Sequence, residues 1–222
     1  MAGTLYVVAT PIGNLGDITY RAVEVLKMVD AIACENRDRN IKLLNHLGLK
    51  KWLLEYSPAN EKNSAKGIVD LLLSGKNIVL VSDAGMPNIS DPGRVLVQEA
   101  LKAGIKIVPI PGVSALTTVL SVSPFPAKRV AFLGFLPKSQ GKLEKELLLF
   151  KSIEAEIVAF VSKYQIKKFL LSVKKIFGNA EIMIGREMTK LNEEYRIGKV
   201  DEILQEGIEE KGEFTVVIYN RI

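Results

Sequence analysis

Strand-like and helix-like segments alternate along most of this chain, and that alternation restricts the fold more than any other feature of the sequence. Thr4–Ala9 is a short β-rich run that stops at Thr10-Pro11. From Thr19 to Val29 the apolar residues Ala22, Val25, Leu26 and Val29 recur at helical spacing. Ala31–Cys34 reads as a second strand and Asn40–Leu47 as a second helix. Asn60 is placed to cap a helix running to about Leu73, with Ala65, Ile68, Val69 and Leu72 on one face. Asn77–Ser82, NIVLVS, has the continuous apolar run of a strand covered on both faces. A helix over Gly93–Lys102 and a strand over Lys106–Ile110 follow. This order predicts a mostly parallel sheet with helices on its faces.

The middle of the chain changes character. Pro124 and Pro126 break the pattern, and Arg129–Phe135 reads as a strand outside the first unit. A polar loop over Lys138–Lys142 leads into a charged helix. The strand Glu156–Val161 precedes a helix with Ile166, Phe169, Leu170 and Val173 on one stripe. The strand Ala180–Gly185, a helix near Val200–Gln205 and a final strand Phe214–Tyr219 complete the second half. A boundary near Ser121–Lys128 gives an N-terminal α/β domain over 1–121 and a C-terminal α/β domain over 122–222, each expected to be a mixed sheet flanked by helices. With 222 residues, 48% of them hydrophobic, the chain can bury one large core or two modest ones.

Several chemistries are poorly supplied. Cys34 is the single cysteine and His46 the single histidine, so neither a disulfide within the chain nor a thiolate or histidine metal set is expected. The N-terminal MAGTLYVVATPIGN has no basic stretch ahead of its apolar run, and no apolar run approaches the roughly 18 residues of a spanning helix. These features predict a soluble cytoplasmic protein with no membrane partner. The net charge of +5 suits an anionic partner such as nucleic acid, and it serves solubility equally well.

Three loops each follow the carboxyl end of an expected strand. They are Thr10–Asp17 (TPIGNLGD), Ser82–Gly93 (SDAGMPNISDPG) and Pro109–Ala115 (PIPGVSA). Ligands of open α/β sheets bind beyond such ends. Glycine lets a ligand approach the backbone and proline stiffens the loop, although any one such loop also serves as a plain turn. Gly13 and Gly16 do not complete G-x-G-x-x-G, and no G-x-x-x-x-G-K-[ST] or G-x-S-x-G is present. Phosphate cradles and hydrolytic triads are therefore disfavoured.

The segments LYVVATPIGNLGDITYRAVEVLK, VSDAGMPNISDPG, PIPGVSAL, GFLPK and REMTKLNEEYRIG occur in one order across nearly the whole chain. Together they resemble the ribosomal RNA 2′-O-ribose methyltransferases of the tetrapyrrole methylase superfamily. The resemblance implies two α/β domains with S-adenosylmethionine held in the cleft between them. It implies donor contacts at Pro11 and Ile12, at Gly85, Met86, Pro87 and Ile89, and at Ser114 and Ala115. Phe160, Val161 and Arg186 of the second domain are implied to close over the donor. Glu187, Lys190 and Glu193, in REMTKLNEE, stand where the family has a characteristic stretch, and any of them is placed to orient the ribose or its phosphates. The same three residues also read as a solvated strand-to-helix connection. The implied acceptor is a cytidine in 16S ribosomal RNA of the small ribosomal subunit, and the implied assembly is a homodimer. Arg37, Arg39, Lys138, Lys142 and Lys190 are the cations expected to meet RNA phosphates.

The chain departs from the family pattern in two stretches. Glu35–Asn40 reads ENRDRN where an E-D-T-R-type sequence is usual, and Ser162–Lys167 reads SKYQIK where an aromatic-Glu-Ser-Pro-His-Arg sequence is usual. A related methylase with a small-molecule acceptor such as a tetrapyrrole, and a donor-binding protein without turnover, stay open as other readings. An NAD-binding oxidoreductase has no glycine fingerprint to support it.

Overall fold

A computed structural model describes residues 1–221. The chain divides into two compact units, Met1–Ser114 and Ala115 onward. The first unit runs β1 (Thr4–Val8), α1 (Tyr20–Met28), β2 (Ala31–Cys34), α2 (Arg37–His46), β3 (Trp52–Glu55), α3 (Glu61–Leu73), β4 (Ile78–Val81), α4 (Arg94–Lys102) and β5 (Lys106–Ile110). Its sheet has the order β3-β2-β4-β1-β5. Every pairing in it is parallel, because each strand reaches the next through a helix.

Central β4 explains its own sequence. Ile78, Val79 and Leu80 are fully buried, with alternate side chains entering opposite layers. Leu5, Ala31, Ala33, Ile78 and Leu80 pack against Ala65, Ile68 and Leu72 of α3 and Leu96 and Ala100 of α4. Val8, Ile32, Val79 and Val81 pack on the other face against Ala22, Val25 and Leu26 of α1 and Leu44 of α2. Each fully buried Leu or Val side chain stabilises the fold by about 1.5–3 kcal/mol. A sheet covered on both faces leaves its strand ends as the places where a ligand can reach the backbone.

The second unit runs α5 (Ala115–Ser121), β6 (Val130–Phe135), α6 (Gln140–Leu149), β7 (Ala155–Ser162), α7 (Ile166–Phe177), β8 (Glu181–Arg186), β9 (Glu194–Lys199), α8 (Val200–Glu206) and β10 (Glu213–Asn220). Its sheet has the order β6-β7-β10-β8-β9. β6 and β7 are parallel and the other pairs antiparallel, so the mixed pairing expected of both sheets is found in this one. Ile166, Phe169, Leu170, Val173 and Ile176 of α7 lie on its core, together with Leu143 and Leu147 of α6. The division at Ser114/Ala115 precedes the boundary read from the sequence, because α5 belongs with the second unit. Val119 of α5 is fully buried there, within van der Waals reach of Gly185 on β8.

Three elements have no counterpart in the sequence reading. β3 is four residues long, stands at the sheet edge, and exposes Trp52. α5 has seven residues and a single buried position. β9, EYRIGK, is polar enough to read as a connection, yet it pairs with β8 along its full length. The polar stretch 138–142 is loop only as far as Ser139, which precedes the first residue of α6.

Candidate methyl-donor site

The strand order fixes where a ligand crevice can form. From β1 the chain crosses over β4 to reach β2, and from β4 it crosses over β1 to reach β5. The connections diverge between neighbouring β1 and β4, which is the switch point at whose carboxyl end open α/β sheets take ligands. The loops Ala9–Thr19 and Ser82–Gly93 leave the sheet there, and Pro111–Ser114 leaves β5 beside them.

Backbone hydrogen bonds tie these loops together. Thr10 N–H donates to the Gly85 carbonyl at 2.9 Å, and Gly85 N–H donates to the Thr10 carbonyl at 2.9 Å. The buried Thr10 hydroxyl donates to the Ser82 carbonyl at 3.1 Å, and the Ser82 hydroxyl to the Gly85 carbonyl at 3.0 Å. Ala9 N–H donates to the Ile110 carbonyl at 3.2 Å, carrying the β1–β5 ladder into the first loop. A Cβ on Gly112 would lie 2.8 Å from that of Ala9, so the third loop approaches the first more closely than a side chain permits. Gly85 has φ +82°, and a Cβ there would point at Ile12 Cγ2 (3.5 Å), the Val113 carbonyl oxygen (3.6 Å) and Ser114 Cα (4.0 Å). The missing side chain thus leaves a gap bounded by all three loops.

The expected donor residues divide by exposure. Pro11, Gly85 and Pro87 are buried, Ile12, Met86, Ser114 and Ala115 half-buried, and Ile89 is exposed. The structure brings Ile12, Gly85 and Ser114 together; Ala115 follows as the first residue of α5. S-adenosylmethionine has no phosphate, and its adenine edge, ribose hydroxyls and amino-acid end suit backbone donors and acceptors presented at such a gap.

Beside this crevice, at the carboxyl ends of β2, β3 and β4, lies a cavity of about 410 Å³ lined by Glu35, Asn36, Arg37, Asp38, Glu55 and Asp83. Asn36 N–H donates to Asp83 Oδ1 at 3.2 Å, and the Arg39 guanidinium stands 3.6 Å from Asp83 Oδ2. Burial, with the charges of Glu35 and Asp83 added, pushes the Asp91 carboxyl up to about 6. In the sequence, residues 35–40 stand out as a departure from a motif, and Glu55, Asp83 and Asp91 do not stand out. For Glu55 and Asp83 the signal was position, since Glu55 ends a strand and Asp83 follows closely after one, whereas Asp91 carried no such mark.

In the second unit, pairing register places Phe214 opposite both Val161 and Arg186, and Thr215 opposite Phe160. Phe160, Val161 and Arg186 therefore lie at the same end of that sheet, at the carboxyl ends of β7 and β8. The Phe160 ring meets Phe132 at 4.9 Å and Phe135 at 5.4 Å in edge contacts. Arg186 Nε bonds Glu194 at 2.9 Å, and its NH1 lies 3.0 Å from the Glu209 carboxylate.

Glu187, Lys190 and Glu193 form one turn between β8 and β9. Lys190 Nζ bonds Glu187 at 2.9 Å and Glu213 at 2.7 Å. Glu187 also accepts from the Glu213 N–H at 2.8 Å, and Glu193 accepts from the Thr189 N–H. Burial pushes the Glu187 carboxyl up, but the bonds from Lys190 and Glu213 outweigh it and hold the group below the usual carboxylate range. Burial likewise disfavours the Lys190 cation, and the two carboxylates outweigh it and hold its pKa above the usual value. Glu187 and Thr189 have positive φ, 49° and 66°, so this turn is held against backbone preference. Gly212 makes room for it, because a Cβ there would lie 2.6 Å from Glu187 Cγ.

Among the described residues no three His, Cys, Asp or Glu side chains are arranged to hold a metal ion. Among the described residues no helix is long and apolar enough to cross a membrane.

A parallel switch-point sheet with three tied loops at its carboxyl edge, followed by a mixed-sheet unit, defines a two-unit α/β ligand-binding protein. Residues 4–204 match the family described as Tetrapyrrole (Corrin/Porphyrin) Methylases, and the chain belongs to that family. Methyltransferases of this family use S-adenosylmethionine. The chain is 45% identical over 221 residues to "Ribosomal RNA small subunit methyltransferase I" of Thermotoga maritima, covering 97% of this chain and 98% of that protein. A protein of the same name from Halalkalibacterium halodurans is 42% identical over 97% of this chain and 75% of its own length. Among solved structures, diphthine synthase aligns with a TM-score of 0.76 at 15% identity, over 97% of this chain and 89% of that one. Uroporphyrin-III C-methyltransferase from Thermus thermophilus, complexed with S-adenosyl homocysteine, aligns at 0.70 with 14% identity, over 97% of both chains. At such identities these structures establish the fold.

Proposed function

We infer that this chain transfers a methyl group from S-adenosylmethionine to the ribose 2′-hydroxyl of a cytidine in 16S ribosomal RNA of the small ribosomal subunit. The observation that carries the donor half is the convergence of three loops on the bare face of Gly85, between Ile12 and Ser114. Pro11, Ile12, Gly85, Met86, Pro87, Ile89, Ser114 and Ala115 are the proposed donor contacts. The names of the relatives support small-subunit ribosomal RNA as the acceptor, the resemblance of the motifs supports the cytidine 2′-hydroxyl, and the net charge of +5 is compatible with both.

The donor, when bound, supplies an activated methyl on a sulfonium. Transfer forms an oxygen–carbon bond as the sulfur–carbon bond breaks, S-adenosylhomocysteine leaves, and the hydroxyl proton passes to water. In-line placement supplies much of the rate in a displacement of this kind. At neutral pH Lys190 stays a cation and Glu187 an anion, so the pair suits holding a phosphate and a ribose hydroxyl better than moving a proton. Glu193 braces the turn that carries them. A cytoplasmic homodimer is the proposed working form, since that compartment holds the ribosomal subunits and two-fold pairing is the commonest closed symmetry.

The test is to incubate the protein with methyl-labelled S-adenosylmethionine and small subunits lacking the modification, then hydrolyse the RNA. Label in an alkali-resistant dinucleotide that begins with a 2′-O-methylcytidine is expected. Label on a base, or faster methylation of a tetrapyrrole than of any RNA, would overturn the assignment.

A further inference from the structure

Helix α4 begins immediately after the donor loop, and its own sequence does not cap it. Its N-cap residue is Gly93, which has φ +152° and no side chain to accept from the first helical N–H groups. Four such groups need partners at every helix start. Here those of Gly93, Val95 and Leu96 are met from elsewhere in the sequence. The Glu61 carboxylate, from the first residue of α3, accepts from Gly93 N–H at 3.2 Å and from the Val95 N–H. The Tyr56 hydroxyl, from the residue after β3, accepts from Leu96 N–H at 3.1 Å and donates to Glu61 Oε1 at 2.7 Å. Tyr56 is 1% exposed, so its hydroxyl is committed to these partners. Burial pushes the Glu61 carboxyl up, but the bonds from Tyr56, Gly93 and Val95 prevail and keep it ionised at neutral pH. A carboxylate at a helix N-terminus also meets the positive end of the helix dipole.

The clamp reaches the donor loop through Gly93. Gly93 packs so tightly on Asn88 that an added Cβ would lie 3.3 Å from both the Cβ and the N of Asn88. Asn88 and Ser90 have φ of 71° and 65°; asparagine visits this region readily, whereas serine holds it against its backbone preference. Asn88 lies between Pro87 and Ile89, both expected donor contacts. Fixing the start of α4 therefore fixes the far end of the Gly85–Ile89 segment, as the paired Thr10–Gly85 bonds fix its near end.

We propose that Tyr56 and Glu61 are positioning residues for methyl-donor binding: together they replace the missing cap of α4 and hold the loop Gly85–Ile89 in its binding conformation. This rests on the placement of the donor along that loop. Neither residue touches the donor, so their loss acts through loop order.

The experiment combines titration calorimetry with S-adenosylmethionine and amide hydrogen exchange over residues 84–93. Variants are Glu61→Ala, Glu61→Gln and Tyr56→Phe. Val25→Ala, in α1 on the opposite face of the sheet, serves as a destabilised control. Glu61→Ala should weaken donor binding about tenfold and Tyr56→Phe by roughly threefold, the scale of one or two lost hydrogen bonds. Exchange over 84–93 should quicken in both. Glu61→Gln keeps an acceptor and should stay within about threefold of the wild type. If Glu61→Ala fails to fold, Tyr56→Phe and Glu61→Gln decide. Unchanged affinity and unchanged exchange in Tyr56→Phe would overturn the proposal, as would an equal loss of affinity in Val25→Ala. A wild-type protein that bound no donor would instead refute the functional reading, and the exchange data would still judge the clamp.

Discussion

Replacing Gly85 by alanine separates folding from donor binding. At φ +82° an L-residue costs about 1–2 kcal/mol relative to glycine. The new methyl group would sit 3.5 Å from Ile12 Cγ2 and 3.6 Å from the Val113 oxygen, ordinary contact distances that add no clash in the free protein. Gly85→Ala should therefore fold, with a melting temperature lower by about 2–4 °C for each kcal/mol lost. Donor binding should suffer more, because the methyl fills the gap that the three loops enclose. A ligand pushed back far enough to lose two backbone hydrogen bonds forfeits about 2 kcal/mol, or roughly 30-fold in Kd. Gly104→Ala supplies the comparison. Its φ is +69° with nothing within 4 Å of the added Cβ, so it should show a similar melting loss with no change in affinity. Scanning and titration calorimetry on both variants read the two quantities. If Gly85→Ala bound the donor within about threefold of wild type, or Gly85→Trp bound it undiminished, the proposed placement of the donor against Gly85 would be refuted.

Three further outcomes follow from the same structure. The Asp91 carboxyl is raised from 3.8 to about 6, so its contribution to stability is fully present below about pH 4 and is lost as pH rises through about 6. Asp91→Asn should gain about 1 kcal/mol over wild type at pH 8 relative to pH 4, discounted for partial exposure, and chemical denaturation showing no pH-dependent gap would contradict this. Lys190→Ala should lower RNA methylation by at least about tenfold while leaving the donor Kd nearly unchanged, and equal loss of both would make the residue structural or donor-facing. Light scattering at high micromolar concentration should give twice the chain mass of 24.5 kDa, and a monomer mass would remove the homodimer.

Much of the first unit was legible because burial on both faces leaves a strong mark. NIVLVS admits few roles besides a central strand, and the Ala22–Val29 spacing few besides a helix face. The donor loops were legible as loops through their Gly and Pro residues, and their convergence became visible only with strand order, which sequence periodicity does not contain. Edge strands lack the mark altogether. β9 alternates polar residues with few apolar ones, and β3 shows a tryptophan to solvent. The β6–β7 pairing illustrates a subtler loss. Its register shifts between Phe132 and Gly134, which resets the side-chain alternation and lets Phe132 and Phe135 both reach Phe160. Strict alternation would put those two rings on opposite faces. The Tyr56–Glu61 clamp was hidden for a similar reason, since a helix capped by another element carries no capping residue of its own to read.

The position of β1 in its sheet has a consequence for how the chain is made. Leu5 pairs with Ile78 on one side and Ile107 on the other, so the first strand synthesised is completed by two of the last strands of its unit. TLYVV must stay unpaired while the intervening helices and strands emerge, and such non-local pairing slows folding and prolongs exposure of an apolar edge. Until Gly85 arrives, Thr10 lacks its two backbone bonds, so the proposed donor site cannot form before nearly the whole unit has left the ribosome. A nascent-chain experiment would then see binding competence appear late and in one step, with β1 acting as the seam that the rest of the sheet closes.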